Sequence, residues 1–214
     1  MCAVLRPIRT IQKREHAKER RGLEGDFAAL SYGVMTDDRY LITGKALERY
    51  VALNDTLREF AFLFYEEKNE RAAAIVGAAY LDTLLENILI NFFVDDEQEV
   101  GKLLGVERPL GTYGSRTTVA YCLGLIGKTI RDDLRLVGKI RNRFAHDLSA
   151  AFGDDPIRSW VLALKWYETS MLGPAPEGAT PGEIFQVGVN QLGTHLSGIV
   201  GLARGQQRQP CPHG

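Results

Sequence analysis

From residue 69 to residue 94 the chain offers about seven turns of helix with no proline and with apolar side chains on every side. Ile75, Ala79, Leu89 and Phe93 fall along one line of such a helix, and Val76, Tyr80, Leu84 and Ile88 along another. A helix of this kind cannot lie on a surface with one face in water; other helices must pack around it. This one segment therefore predicts a bundle with residues 69–94 at its centre.

The rest of the chain supplies the partners. Leu47, Tyr50, Val51, Leu57, Phe60, Ala61 and Phe64 recur at steps of three and four, which predicts a helix from about 44, followed with hardly a break by the one over 69–94. A short helix over 96–104 begins at the acidic pair Asp95–Asp96, and the turn residues Pro109 and Gly111 follow it. Val119, Cys122 and Ile126 mark a core stripe over 114–126, and Ile130, Leu134, Val137 and Phe144 another over 129–146. Asp132 and Asp133 stand near the start of the latter, where the helix dipole favours acids. Pro156 suits the first position of a helix that includes Trp160, Leu164 and Tyr167. Prolines at 174, 176 and 181 define a linker before a last helix over 182–203, with Phe185, Leu192, Leu196 and Ile199 on one stripe. Strand-type alternation is missing, residues 23–42 are ambiguous, and the expectation is an all-α single bundle of about six helices spanning 43–203. Basic residues 1–22 and polar residues 204–214 are expected to be disordered tails.

Charge is informative where it breaks the pattern. At about 100° per residue, Asp82 and Glu86 fall within about 20° of the centre of the Ile75–Ala79–Leu89–Phe93 line. Arg141 falls at about the same angle from the centre of the apolar face of 129–146. Unpaired buried charge costs several kcal/mol, so these groups should meet. The expectation is a contact of Arg141 with Asp82 or Glu86, with Arg116 as the competing cation. It is either a structural brace that sets bundle register or part of a site. The opposite side of 129–146 carries Arg131, Arg135, Lys139 and Arg143 in rows of i, i+4 spacing. It reads as a solvated basic face or as a contact surface for phosphates or an acidic partner.

Composition narrows the classes of function. The formal net charge of −1 conceals a basic start, where Arg6, Arg9, Lys13, Arg14, Lys18, Arg20 and Arg21 face only Glu15 and Glu19. Cys2, Cys122 and Cys211 are too few and too scattered for a disulfide framework, which favours a reducing, cytoplasmic setting. No stretch reads as a signal peptide or membrane span, because the apolar runs are broken by Asp82, Glu86, Asn91, Arg116 and Lys128. His16, His146, His195 and His213 have no metal-ligand spacing, so neither metal nor cofactor is expected. Gly127-Lys128-Thr129 imitates the end of a phosphate loop, but Cys122 stands where the first glycine belongs. Ser115 lacks the setting of a nucleophile elbow, and Cys122 reads as a small core residue.

Three stretches together resemble the mannitol operon repressor (MltR) family: Arg71–Glu86 (RAAAIVGAAYLDTLLE), Pro109–Ile126 (PLGTYGSRTTVAYCLGLI) and Ile140–His146 (IRNRFAH). The likeness covers about 45–170 and is most specific in the middle stretch. It implies a compact all-helical protein that acts as a negative regulator of mannitol uptake and use. It brings no DNA-binding motif, and no helix-turn-helix pattern stands out, so repression would work through a protein partner. Direct nucleic-acid binding stays open, and self-association is a hypothesis resting on the apolar content of 69–94 and 182–203.

The last stretch also resembles the Arg-polar-x-x-x-His signature of HEPN-superfamily proteins, many of them metal-independent ribonucleases. That resemblance implies that Arg141 stabilises charge on a scissile phosphate, His146 acts as general acid and base, and Asn142 positions the histidine or the substrate. Five residues on an unbroken helix separate Arg141 and His146 by about 140°, so they converge only if the helix ends near Ala145 or two protomers meet. Asn142 and His146 share a face. Three readings result: a regulator, a ribonuclease of toxin or defence type, or an interaction module unrelated to mannitol.

Overall fold

The computed structural model describes residues 67–169 and 177–212, together with Asp55, Glu59, Phe60, Phe64, Gly173 and Ala175. The basic segment 1–22, the ambiguous segment 23–42 and most of the helix expected from about 44 lie outside the described residues. Asp55, Glu59, Phe60 and Phe64 within that span are helical.

Among the described residues six α-helices have defined bounds, in order α1 (Glu70–Phe92), α2 (Glu97–Leu104), α3 (Tyr113–Cys122), α4 (Lys128–His146), α5 (Ile157–Leu162) and α6 (Pro181–Gly205). A 3-10 turn, Trp166–Thr169, lies between α5 and α6. Among the described residues there is no strand, so the all-α class holds.

The helix starts are written locally. Asn69, Asp96, Thr112 and Thr180 each accept a backbone N–H at the head of α1, α2, α3 and α6, the last two in capping boxes with Ser115 and Glu183. The ends are less predictable. Helix α3 stops at Cys122 rather than near 126, because Gly124 turns the backbone to a φ of 74° and the Leu125 N–H returns to the Ala120 carbonyl. Cys122 is thereby exposed and not a core residue. The helix after Pro156 also ends early, at Leu162, because the Lys165 N–H is bound by the Asp133 carboxylate instead of continuing the helical ladder. Trp166 is buried beyond that break, and Trp160 is partly covered.

Helix α1 packs most extensively on α6 and also on α3 and α4. The α1–α6 pairing is parallel: Gly77 lies against Val189, Gly193 against Tyr80, and the Arg208 N–H bonds the Phe92 carbonyl. Arg208 also stacks on the Phe92 ring, 4.8 Å from its centroid, so the segment after α6 is anchored at that point rather than free from residue 204. The expectation that α1 is covered all round is corrected. Its packed face runs from Ala73 through Leu81, Leu84, Leu85, Ile88 and Leu89 to Phe92, whereas Ile75, Val76 and Ile90 are 39%, 44% and 42% exposed. Also corrected is the reading that no stretch could span a membrane. By length and composition α1 qualifies, with more than half of the relevant stretch buried against its neighbours in this fold.

Candidate functional site

Asp82 and Glu86 stand one turn apart on α1, at the border between its packed and open sides. Arg116, near the start of α3, reaches both. Its Nη1 lies 2.7 Å from Asp82 Oδ2, its Nη2 lies 3.2 Å from Glu86 Oε1, and Nη2 also donates to the Leu104 carbonyl at 2.8 Å. The guanidinium side chain is 8% exposed, against 29% and 36% for the two carboxylates. One planar cation thus ties α1, the end of α2 and α3 together, the geometry that suits arginine better than lysine. Asp82 Oδ1 and Arg116 Nε are buried without a hydrogen-bond partner.

The partner expected for these acids was Arg141, and here the structure differs. The guanidinium of Arg141 is partly exposed and donates to Asn142 Oδ1 at 2.9 Å; Arg116, the competing cation, takes both carboxylates. The difference does not come from the direction of the buried face of α4. That face includes Asp133 and Ile140 as well as Ile130, Leu134, Val137 and Phe144, and Arg141 still falls between Ile130 and Leu134 around the axis. It is the reach of its long side chain out to Asn142, and not the rotation of the helix, that leaves it partly exposed. Between the two sits Tyr113, whose OH donates to the Leu134 carbonyl at 2.9 Å and whose ring lies against Gly138. Burial, and next to it the Asp82 charge, holds the Tyr113 phenol well above its usual range.

Asp133 is the group whose role was least visible in sequence. Instead of serving the helix dipole it lies six positions into α4, 1% exposed, with both oxygens accepting the Lys165 N–H at 2.9 and 3.1 Å. Burial pushes its carboxyl up from 3.8 to about 6, against the lowering effect of that hydrogen bond.

The residues of the Arg-Asn-x-x-x-His signature are not gathered within one chain. Helix α4 runs unbroken through His146, which leaves Arg141 and His146 about 140° apart around its axis. Asn142 and His146 are both exposed and share the outer face. Arg135, Lys139 and Arg143 are exposed on that side, and Arg131 is partly covered. Arg131 bonds Asp132 Oδ1 and lies 4.2 Å from the centroid of the Tyr121 ring, while Arg143 pairs with Asp147 at 2.8 Å. Among the described residues Arg135 and Lys139 have no ion-pair partner. No group of three His, Cys, Asp or Glu side chains among the described residues converges as a metal site would.

Two functional-looking residues escaped the sequence reading. Arg71, in the first turn of α1, donates one Nη to the Phe144 carbonyl and the other to the Asp147 carbonyl at 2.8 Å, which closes the end of α4. Beside it Glu70 accepts the Phe152 N–H at 2.9 Å. Leu148, in the turn these contacts hold, is 91% exposed. Neither lies on a periodic stripe, so nothing local marks them out.

No protein-family model matches this chain, and no curated protein matches it either. The architecture is that of an all-α helical bundle, and this bundle has a solved counterpart. It is similar to a chain in the X-ray structure of the MtlR–HPr complex from Escherichia coli, with a TM-score of 0.54 and 19% identity over 68% of this chain and 99% of that one. At that identity the likeness establishes a shared fold.

Proposed function

We propose that this chain is a cytoplasmic regulatory protein that acts by docking another protein, as a negative transcriptional regulator of sugar-alcohol use of the kind its sequence resemblance implies. The observation that carries this reading is the outer face of α4, where Arg135 and Lys139 stand exposed and free of ion pairs among the described residues. Charge that braced the fold would be paired, as Arg116 is; charge held out in water is available to a partner. The fold neighbour supports the reading, since it was solved as a complex of MtlR with HPr. The ribonuclease reading would need two protomers to bring its groups together, because the general acid and the phosphate-stabilising group point to different sides of one helix. Deleting the gene and measuring transcripts of mannitol transport and dehydrogenase genes tests the proposal. Their rise in the absence of mannitol is expected. Unchanged transcripts with and without mannitol would remove the regulatory role.

A further inference from the structure

The end of α4 is built more firmly than a helix end needs to be. The Asp147 N–H closes the helix on the Arg143 carbonyl, and its carboxylate pairs with Arg143 at 2.8 Å. The same carboxylate accepts the Ser149 N–H at 3.0 Å and the Ser149 hydroxyl at 2.8 Å. From the other side Arg71 grips the Phe144 and Asp147 carbonyls. Bonds to Ser149, with Arg143 alongside, hold the Asp147 carboxyl below its ordinary range. Leu148 stands at the centre of this knot, yet its side chain is 91% exposed and the knot makes no use of it.

A single exposed leucine is ordinary on a protein surface. This one differs in being fixed in place two residues after His146, at the end of a continuous charged face. Lys128, Arg135, Lys139 and His146 lie within about 40° of one another around α4, flanked by Arg131, Asn142 and Arg143, over about 27 Å of helix. An apolar side chain carried on a fixed backbone beside a polar rim is an arrangement by which protein interfaces gain affinity at reduced ordering cost.

Resting on the reading above, we propose that this face, with Leu148 as its anchor, docks an acidic protein surface that carries an apolar socket. The cations Arg135, Lys139 and Arg143 set its orientation. Several features favour a protein over a nucleic acid. Helix α4 itself brings no aromatic side chain to this face on which bases could stack, and the Tyr121 ring at its edge is taken up by Arg131. Leu148 has nothing to do against a phosphate backbone. Rows of i, i+4 cations match carboxylates at the same spacing on a partner helix.

The test titrates the intact chain with two labelled probes of equal charge. One is a helical peptide with glutamates at i, i+4 spacing and leucines between them; the other is a uridine oligonucleotide. The peptide is expected to bind more tightly, and more weakly as salt rises. Arg135→Glu with Lys139→Glu should weaken it about tenfold. Leu148→Ser should weaken it several-fold while leaving the salt dependence intact. Val106→Asp, at an 88% exposed position between α2 and α3, is the control expected to change nothing. Circular dichroism checks that each variant is folded. Tighter binding of the oligonucleotide, or peptide affinity indifferent to the charge reversal or to Leu148→Ser, overturns the proposal. The titration reads this surface alone and the transcript measurement reads the regulatory role, so either can fail without the other.

Discussion

At Asp133 a carboxylate has been taken out of water for the sake of one backbone N–H, and its pH dependence carries the sign of that choice. Its folded value of about 6 lies above the ordinary 3.8, so the charged form is the costly one. The stability it lends is complete below the ordinary value and is lost as pH rises through about 6, an effect of roughly 2–3 kcal/mol. Asp133→Asn keeps an oxygen that can accept the Lys165 N–H and removes the titration. The variant should therefore lack the component of declining stability that denaturant melts of the wild type show between pH 4 and 6. Identical pH profiles for the two proteins would contradict this account. Arg116 presents the opposite case. Arg116→Met leaves the Leu104 carbonyl and two half-buried acids without their cation. It should cost about 2–3 kcal/mol in urea unfolding, less than for a fully buried pair because the carboxylates keep contact with water. A loss below about 0.5 kcal/mol would mean that the network is ornamental to stability.

At the scale of the element, the helices were legible and their faces were less so. The periodic apolar residues, with the acidic pair before α2, placed the starts of α1, α2, α3 and α6 to within a few residues, because such signals are local. The caps at Asn69, Thr112 and Thr180 were not read from the sequence. The error in reading α1 as covered all round came from counting apolar residues without knowing which neighbours exist. Ile75 and Val76 look like core residues on a helical wheel, but α3, α4 and α6 leave that side open. The wheel also put Arg141 in the core of α4, between Ile130 and Leu134, because it places Cα positions and not the end of a long side chain, which here reaches Asn142. Close approach of α1 and α6 depends on a glycine. A Cβ at Gly193 would overlap the Tyr80 ring, and that ring cannot retreat because it stacks on Phe60 at a centroid distance of 4.3 Å. Gly193→Ala should thus destabilise the protein by about 1–3 kcal/mol despite the better helix propensity of alanine, as thermal melts would register. A stabilised variant would show that the two helices part more easily than this packing implies.

At the scale of the whole molecule, contacts between residues far apart in sequence hold the ends of the elements in place. Glu70 and Arg71 open α1 and bind the chain at Phe144, Asp147 and Phe152, so that one turn fastens both the end of α4 and the loop beyond it. Arg71→Met should cost about 1–3 kcal/mol through the carbonyls it leaves unsatisfied. It should also raise amide exchange at 147–152 ahead of the rest of the molecule. Uniform exchange across α4 and this loop would show that the clamp is redundant.

The sequence by itself determined the all-α class, most helix starts, the existence of misplaced charges and the basic row of α4. Each depends on residues within a few turns of one another, where spacing and capping chemistry act directly. Only the tertiary structure decided which cation meets Asp82 and Glu86, that Asp133 arrests a second helix rather than serving its own, and that Leu148 is held out in solvent. Those outcomes depend on which surfaces come together across seventy or more residues in the case of Arg71, and on a few ångströms of reach in the case of Arg116 over Arg141. Burial and pairing energies choose among such contacts only after the helices have docked.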